Sequence, residues 1–252
     1  MFSFIEKLLL STLLVFFSIS ITYGQQNLFN IPSGDITPKG KFFYQHQFNV
    51  YQKKFESKSH LVYGLGKGWE IGANLLNVGV NHGYINKPVF MMNDVYGKEP
   101  LGPLLVPTAQ KQFKVGEHFK LSVGTQTGLN LSENFKNKTI ATFIYGLSVY
   151  ETGNHMKFVV GPYYANNAYL GKVGNNLGFV AGFEIPLSKR WFLMVDHISG
   201  NNYNSVTVPG FMYNLTKRVQ LCAGYQIPNP GSPIKQAIVL ELNLLNYDIP
   251  NF

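Results

Sequence analysis

LGFVAGFEI, residues 177–185, alternates large apolar side chains with small or polar ones at every second position. Successive side chains of a β-strand point to opposite faces of the sheet, so a period of two predicts a strand with two unlike faces. One face is apolar throughout: Leu177, Phe179, Ala181, Phe183 and Ile185. The other face is formed by Gly178, Val180, Gly182 and Glu184.

The same pattern recurs in VQLCAGYQI, residues 219–227, and in AIVLELNL, residues 237–244. Composition agrees with an all-β chain, because 15% of the 252 residues are aromatic and 25 are glycine. Such residues suit twisted strands better than helices. No segment after residue 24 has helical periodicity, and charged residues are only 13%, about half the usual share of about 25%.

Turn signals divide the chain into strands joined alternately by short and long connections. Tight turns are predicted at Lys67-Gly68, Val115-Gly116, Gly153-Asn154, Ser188-Lys189 and Thr216-Lys217. Longer polar connections are predicted at residues 52–57, 81–102, 132–138, 166–176, 200–204 and 228–233. This alternation is typical of an antiparallel up-and-down transmembrane β-barrel, with brief periplasmic turns and longer outer loops.

Between Lys41 and Leu245 these breaks leave about 12 strands, an even number. Strands of about 9 to 12 residues match the tilted length that crosses the hydrocarbon of a bilayer. The pattern is least regular from Leu104 to Phe113, where Pro103 and Pro107 interrupt it.

A soluble β-sandwich is the main alternative, since it also alternates with period two. Its outward faces should carry charges because they meet water. Here one face is apolar, with aromatic residues near the strand ends, and the other carries Gly, Ser, Thr, Asn and Gln. A Lys or Arg facing lipid costs about 2 to 4 kcal/mol at the midplane, so their scarcity on the apolar face favours the membrane barrel.

The first 24 residues are predicted to be a secretory signal, with Lys7 before an uncharged run and cleavage before Gln25. The apolar run is shorter than the roughly 20 residues that span a bilayer as a helix. Residues 25–40 are predicted to be an extended N-terminal segment, and residues 41–252 the barrel. Export without cystines suggests a bacterial envelope, since Cys222 is the one cysteine.

A formal net charge of +8 raises the question of nucleic-acid binding. That function needs Lys and Arg clustered on one face with aromatic stacking partners. The basic residues instead fall in pairs at predicted turns, such as Lys189-Arg190 and Lys217-Arg218. We therefore expect no nucleic-acid partner. We also expect no cofactor or metal, because the six histidines are scattered.

The pattern as a whole resembles Gram-negative outer-membrane β-barrel proteins, and the chain ends on Phe252, similar to the terminal aromatic that the barrel-assembly machinery recognises in them. A local likeness links residues 196–201 (DHISGN), 208–210 (VPG), 224–225 (GY) and 227–229 (IPN) to channel-like proteins of phenol-degradation operons. The resemblance implies location in the outer membrane, contact with its lipids, and passive uptake of small solutes.

The lumen is the predicted functional site. Inward positions carry a polar lining of mixed charge, with the following candidates for the lumen wall: Glu70, Lys120, Lys157, Glu184, Asp196 and Glu241. About twelve strands should leave a narrow duct, or one filled by a loop. Ion pairs that merely brace the interior are the structural alternative. Residues 81–102 are long enough to fold into the lumen or to lie over its rim.

An enzymatic alternative rests on His197 and Ser199, which share one strand face near a loop end. Outer-membrane lipid hydrolases, of the phospholipase or lipid A deacylase type, have a similar His-x-Ser followed by Asn. Here Gly200 separates Ser199 from Asn201, and Asp196 points to the opposite face. We therefore predict a channel without catalytic residues. A structural or adhesive barrel is a third possibility, although its function would lie in loops that are short here.

Overall fold

The computed structural model describes residues 28–81, 89–91, 97–131 and 139–249. It is almost entirely β-sheet, with one short helix. The strands are β1 (Phe42–Val50), β2 (Lys54–Gly66), β3 (Trp69–Asn81), β4 (Val89–Met91), β5 (Leu104–Lys114), β6 (Phe119–Asn130), β7 (Ile140–Glu151), β8 (Lys157–Ala165), β9 (Leu177–Pro186), β10 (Trp191–Ile198), β11 (Val206–Thr216), β12 (Val219–Pro228) and β13 (Ala237–Leu245). The helix α1 spans Asn167–Leu170 and lies between β8 and β9.

Twelve of these strands form a closed antiparallel barrel, and this confirms the predicted fold class. Each strand pairs with its neighbours in the chain, except that β3 pairs mainly with β5 rather than with β4. The short strand β4 pairs only with residues 79–81, at the end of β3. The barrel closes between its first and last strands, where Phe43 lies opposite Leu245 and Val50 opposite Ile238.

The predicted strand faces are correct. In β13, Ile238 and Leu240 are 51% and 44% exposed, whereas Val239 and Asn243 are fully buried. In β9, Leu177 and Phe179 lie on the outer wall, and Val180 and Glu184 lie inside. The predicted apolar faces of β9 and β13 are therefore on the outside of the closed barrel, which excludes a conventional soluble sandwich arrangement.

The two ends of the barrel differ in their connections. At the turn end, strands are joined at residues 67–68, 115–118, 152–156, 187–190 and 217–218. At the loop end, the connections are mostly longer: residues 51–53, 82–103, 131–139, 166–176, 199–205 and 229–236. The exception corrects one prediction. Residues 52–57 were expected to be a long connection, but β2 begins at Lys54.

The predicted weak strand is a full member of the barrel. Pro107 lies on the outer wall of β5 opposite Ala73 of β3. The pairing of β5 with β6 resumes only at Thr108 after Leu105. Proline has no amide hydrogen to donate to the ladder, so the interruption falls where it costs least.

The longest connection packs against the rim of the loop end where it is described. Leu101 N donates to Ala168 O of α1 at 2.9 Å, and Lys172 N donates to Lys98 O at 2.8 Å. Leu101, Leu104 and Ala168 form a small apolar cluster. Residues 97–103 therefore lie over the rim, and residues 82–88 and 92–96 are outside the described part.

The predicted signal sequence with its cleavage site, residues 132–138 and Phe252 also lie outside the described residues and stay predictions. Among the residues that the structure describes, no helix is long and apolar enough to cross a membrane.

Candidate functional site

The interior of the barrel is occupied by residues 28–38, which we call the luminal segment. Leu28 and Ile31 are fully buried and Phe29 is 2% exposed. The segment leaves the barrel at the turn end, where Lys39 pairs with Gly64. Sequence reasoning predicted residues 25–40 to be an extended N-terminal segment and did not say where it packs, so the position of residues 28–38 in the lumen is a finding that the sequence pattern missed.

The tip of the luminal segment packs against an apolar wall. The inward side chains of β7 to β11 are mainly apolar and form one buried cluster with Leu28, Phe29 and Ile31. Members of this wall include Phe143, Leu147, Val159, Val180, Met194, Val208 and Met212. The expectation of a polar lining throughout is therefore wrong for β7 to β11. Apolar residues of the segment need an apolar surface, because burial then removes both from water.

Glycines in the wall make room for this packing. A Cβ at Gly182 would lie 2.4 Å from Leu28 Cδ1, and one at Gly210 would lie 2.5 Å from Phe29 Cζ. Gly224 is next to the same phenylalanine ring. Leu28 and Phe29 thus occupy space on the inner wall that larger side chains at these glycine positions would fill.

Asp35 anchors the base of the luminal segment through an ion-pair network, and sequence reasoning did not single it out. Lys157 Nζ lies 2.7 Å from Asp35 Oδ2 and 3.3 Å from Glu184 Oε2. Lys120 Nζ lies 3.8 Å from Asp35 Oδ1 and 2.7 Å from Glu151 Oε1. All five side chains are buried or largely so, and buried charges persist when they are paired and hydrogen-bonded.

Backbone groups of the segment are also satisfied by the wall. Thr37 N donates to Glu70 Oε2 at 2.7 Å, and Asn30 N donates to Asp196 Oδ2. Gly34 O accepts from Ser122 Oγ at 2.9 Å and Gln112 Nε2 at 2.6 Å. Because an unpaired buried backbone group is costly, these side chains fix the course of the segment.

The six candidate lumen residues all lie inside the barrel. Five of them hold the luminal segment or belong to its ion-pair network: Glu70, Lys120, Lys157, Glu184 and Asp196. Glu241 lies on the other side of the lumen and accepts from Gln45 Nε2 at 2.9 Å. Most of the predicted charges therefore brace the segment that fills the lower lumen.

A cavity lies between the tip of the luminal segment and the loop end. It has a volume of about 80 Å³ and is partly open to solvent. Its polar lining includes Gln45, Gln47, His60, Asn74, Gln126 and Gln226. Its apolar or aromatic lining includes Phe29, Phe143, Tyr169, Ile198, Val206 and Ile234. A second space of about 190 Å³ shares Asn77, Asn204 and Ile234 with it and reaches the rim at Glu99 and Tyr203.

Aromatic side chains form a band around the outer wall at each end. Exposed members near the turn end are Phe42, Trp69, Phe113, Phe119, Tyr150 and Trp191. Exposed members near the loop end are Phe48, Phe55, Tyr164, Phe179 and Tyr225. Lys111 also lies on the outer wall, near the turn end, with its ammonium 5.3 Å from the ring centres of Trp69 and Phe113. Aromatic bands of this kind mark the two interfaces of a bilayer.

His197 and Ser199 lie on the outer wall near the loop end but have different partners. His197 Nδ1 lies 2.8 Å from Thr207 Oγ1 on the neighbouring strand. Ser199 Oγ accepts from Phe179 N at 2.8 Å. Within the described residues no hydrogen bond joins His197 to Ser199, so the pair of the enzymatic alternative lacks the contact between nucleophile and base.

No protein-family model and no curated protein matches the chain. Solved structures with a similar fold include an outer membrane channel from Pseudomonas putida F1, with 13% identity, coverage of 83% of this chain and 96% of that chain, and a TM-score of 0.47. Outer membrane phospholipase A from Escherichia coli has 12% identity, coverage of 85% and 95%, and a TM-score of 0.46. A toluene transporter from Ralstonia pickettii has 8% identity, coverage of 89% and 95%, and a TM-score of 0.43.

The similar structures include channels and an enzyme. None of the three is described as a protein of a phenol-degradation operon. The local likeness of residues 196–229 to such proteins therefore stays a prediction.

Proposed function

We propose that the protein is an outer-membrane channel for small solutes, closed in this conformation by its own luminal segment. The observation that carries the proposal is the contrast between the two surfaces of the barrel wall. The outer surface is apolar between two aromatic bands, and the inner surface surrounds a partly polar cavity that opens at the loop end. Outer-membrane barrels place their longer loops outside the cell, so the cavity faces the exterior.

The lining of the cavity favours a particular kind of solute. Gln45, Gln126 and Gln226 line the cavity together with Phe143 and Tyr169, and the Tyr169 hydroxyl donates to Gln126 Oε1 at 2.9 Å. A small molecule with an apolar body and a hydrogen-bonding group suits both kinds of lining residue. Passage to the periplasm then requires displacement of the luminal segment, because its residues fill the lumen below the cavity.

Conductance in planar bilayers tests this proposal. We expect the mature chain to pass little current and a variant lacking residues 25–38 to show stepwise openings at least several-fold larger. Heat-dependent mobility on a detergent gel, which reports an intact barrel, is the control for both proteins. A truncated barrel that remains folded and passes no more current than the intact chain would overturn the proposed gating.

Fatty-acid release from phospholipid is the corresponding test of the enzymatic alternative at His197 and Ser199. The channel proposal predicts that His197→Ala changes neither the conductance nor the amount of fatty acid released from phospholipid.

A further inference from the structure

A polar patch interrupts the apolar outer wall on β1 and β2. It consists of Tyr44, His46, Ser57 and Ser59, which we call the outer-wall histidine cluster. In the register of the two strands His46 lies opposite Ser59, and Phe48 lies opposite Ser57. Phe48 and Phe42, at alternate positions of the same strand, are 46% and 47% exposed, so these side chains point away from the lumen.

Both nitrogens of the His46 ring have hydroxyl partners. His46 Nε2 lies 3.2 Å from Ser57 Oγ. His46 Nδ1 lies 2.9 Å from Ser59 Oγ and 3.0 Å from the hydroxyl of Tyr44. One serine thus contacts the ring nitrogen that would act as base, while other hydroxyls hold the opposite nitrogen. A serine is activated as a nucleophile when it contacts a base that is itself oriented by a third group.

Other polar groups of the outer wall have simpler partners. Thr125 and Thr127 satisfy each other, with their hydroxyl oxygens 3.0 Å apart. His197 is paired with Thr207 through one ring nitrogen, and Ser199 is occupied by a backbone amide. Only mutual hydrogen bonding is needed to keep such groups in an apolar environment. The hydroxyls at His46 Nδ1 alone would give the ring a hydrogen-bond partner, and Ser57 adds a contact at Nε2.

The position of the cluster suits an ester-linked lipid. Ser57 lies near the short connection of residues 51–53, and the exposed ring of Phe55 lies on the loop-end side of it. The cluster therefore begins at the aromatic band of the loop end, where Ser57 lies opposite Phe48, and extends just below it, close to the depth at which acyl chains join lipid headgroups. The pairing of β2 with β3 also shifts register between Ser57 and Ser59, and such bulges are frequent next to active sites.

We propose that Ser57 is a nucleophile that accepts an acyl group from an ester-linked lipid of the surrounding leaflet, with His46 as its base. Ser59 and Tyr44 are positioning residues that hold the proton-bearing Nδ1 of the ring. This activity is separate from the channel and uses the opposite surface of the wall.

In the acylation step, Ser57 Oγ bonds to the ester carbonyl carbon and its proton moves to His46 Nε2. The tetrahedral intermediate collapses, the bond to the alkoxy oxygen breaks, and His46 returns the proton to the departing alcohol. Water then attacks the acyl-serine, again giving a proton to His46. The fatty acid leaves and the proton returns to Ser57 Oγ, so the enzyme is restored and one water is consumed per ester.

A long-chain alkyl fluorophosphonate tests the nucleophile directly on the intact barrel in phosphatidylcholine vesicles. Ser57 Oγ would bond to phosphorus with loss of fluoride, and peptide mass spectrometry would locate the adduct. We expect labelling at Ser57, its absence in Ser57→Ala, and at least tenfold slower labelling in His46→Ala, in line with the contribution of a general base. The matched control is Ser199→Ala, which should be labelled at the rate of the unchanged chain.

Release of fatty acid from the same vesicles is the second measurement. We expect release by the unchanged chain and by Ser199→Ala, and none above a barrel-free blank from Ser57→Ala. Should His46→Ala fail to show heat-dependent mobility, His46→Gln keeps a polar side chain of similar reach and replaces it. Absence of the adduct, an adduct formed at an unchanged rate in the histidine variant, or release that survives Ser57→Ala would each overturn the proposal.

Discussion

Lys157 Nζ lies 2.7 Å from Asp35 Oδ2, which joins the luminal segment to the barrel wall across 122 positions of sequence. The wall supplies the lysine from the start of β8, close to the turn end, and Glu184 shares it at 3.3 Å. This buried contact ties the luminal segment to the barrel wall.

Asp35→Asn should loosen the luminal segment. Removing one partner of a buried ion pair costs about 3 to 5 kcal/mol when the other charge is left uncompensated, and here Glu184 retains part of the compensation. We expect conductance to rise at least twofold and trypsin to cut more rapidly after Lys39. Asp248→Asn is the control, because its pair with Arg218 is more than half exposed on both sides and should leave both measurements unchanged. Equal conductance in the two variants would argue against the anchoring role of Asp35.

Gly34→Ala should disturb the same segment for a steric reason. Gly34 has φ of 77°, and a Cβ there would lie 2.5 Å from Val149 Cγ2. Gly40 has nearly the same φ, 74°, but its Cβ would meet only the Tyr63 hydroxyl at 4.0 Å. In both variants the left-handed conformation costs an alanine roughly 1 to 2 kcal/mol of stability. Any difference between the two variants therefore reports the steric clash of the new Cβ with Val149.

We therefore expect a higher conductance and faster proteolysis for Gly34→Ala than for Gly40→Ala. The same conductance in both would mean that close packing on Val149 does not hold the segment.

Leu240→Arg tests which surface of the barrel meets lipid. Leu240 lies in the middle of β13 on the outer wall, where an arginine should lower the free energy of unfolding by about 2 to 4 kcal/mol in a bilayer. Val115→Arg is the matched control, since Val115 is 60% exposed in a turn-end connection and the cost near an interface is about 0 to 1 kcal/mol. Reversible denaturant unfolding in phospholipid vesicles measures both values. Equal losses would contradict a lipid-facing outer wall.

His197→Ala tests the enzymatic alternative that the sequence left open. His197 is held by Thr207, and Ser199 Oγ is held by Phe179 N, so neither side chain activates the other in this structure. We expect fatty-acid release and fluorophosphonate labelling to be unchanged by the substitution. If His197→Ala released no fatty acid while Ser57 was still labelled, the hydrolytic activity would have to be assigned to His197 and Ser199 instead.

The regular part of the fold could be predicted from the sequence. Alternation in β9, β12 and β13 identified the correct outer faces, because one side of each strand is uniformly apolar. The five tight turns were also predicted at the end where the structure has its short connections. Period-two patterning is a local property, so each strand revealed its own faces independently of its partners.

The filled lumen could not be predicted in the same way. Val206, Val208 and Met212 of β11 face inward, yet apolar residues on the inner side of a strand give no sign of what covers them. Asp35 was not singled out because its partners Lys120 and Lys157 are distant in sequence. Gly182, Gly210 and Gly224 were the available signal, since they leave space on the inner wall where strand residues usually have side chains.

The meeting of β1 with β13 has a consequence for the order of assembly. A growing chain cannot complete the circle until its last strand is available, and the partners of the luminal segment are spread over strands made long after it. The contacts of Asn30 with Asp196 of β10 and of Phe29 with Gly210 of β11 can therefore form only once those strands are in place. The earliest described residues of the chain thus depend for their position on strands near its other end.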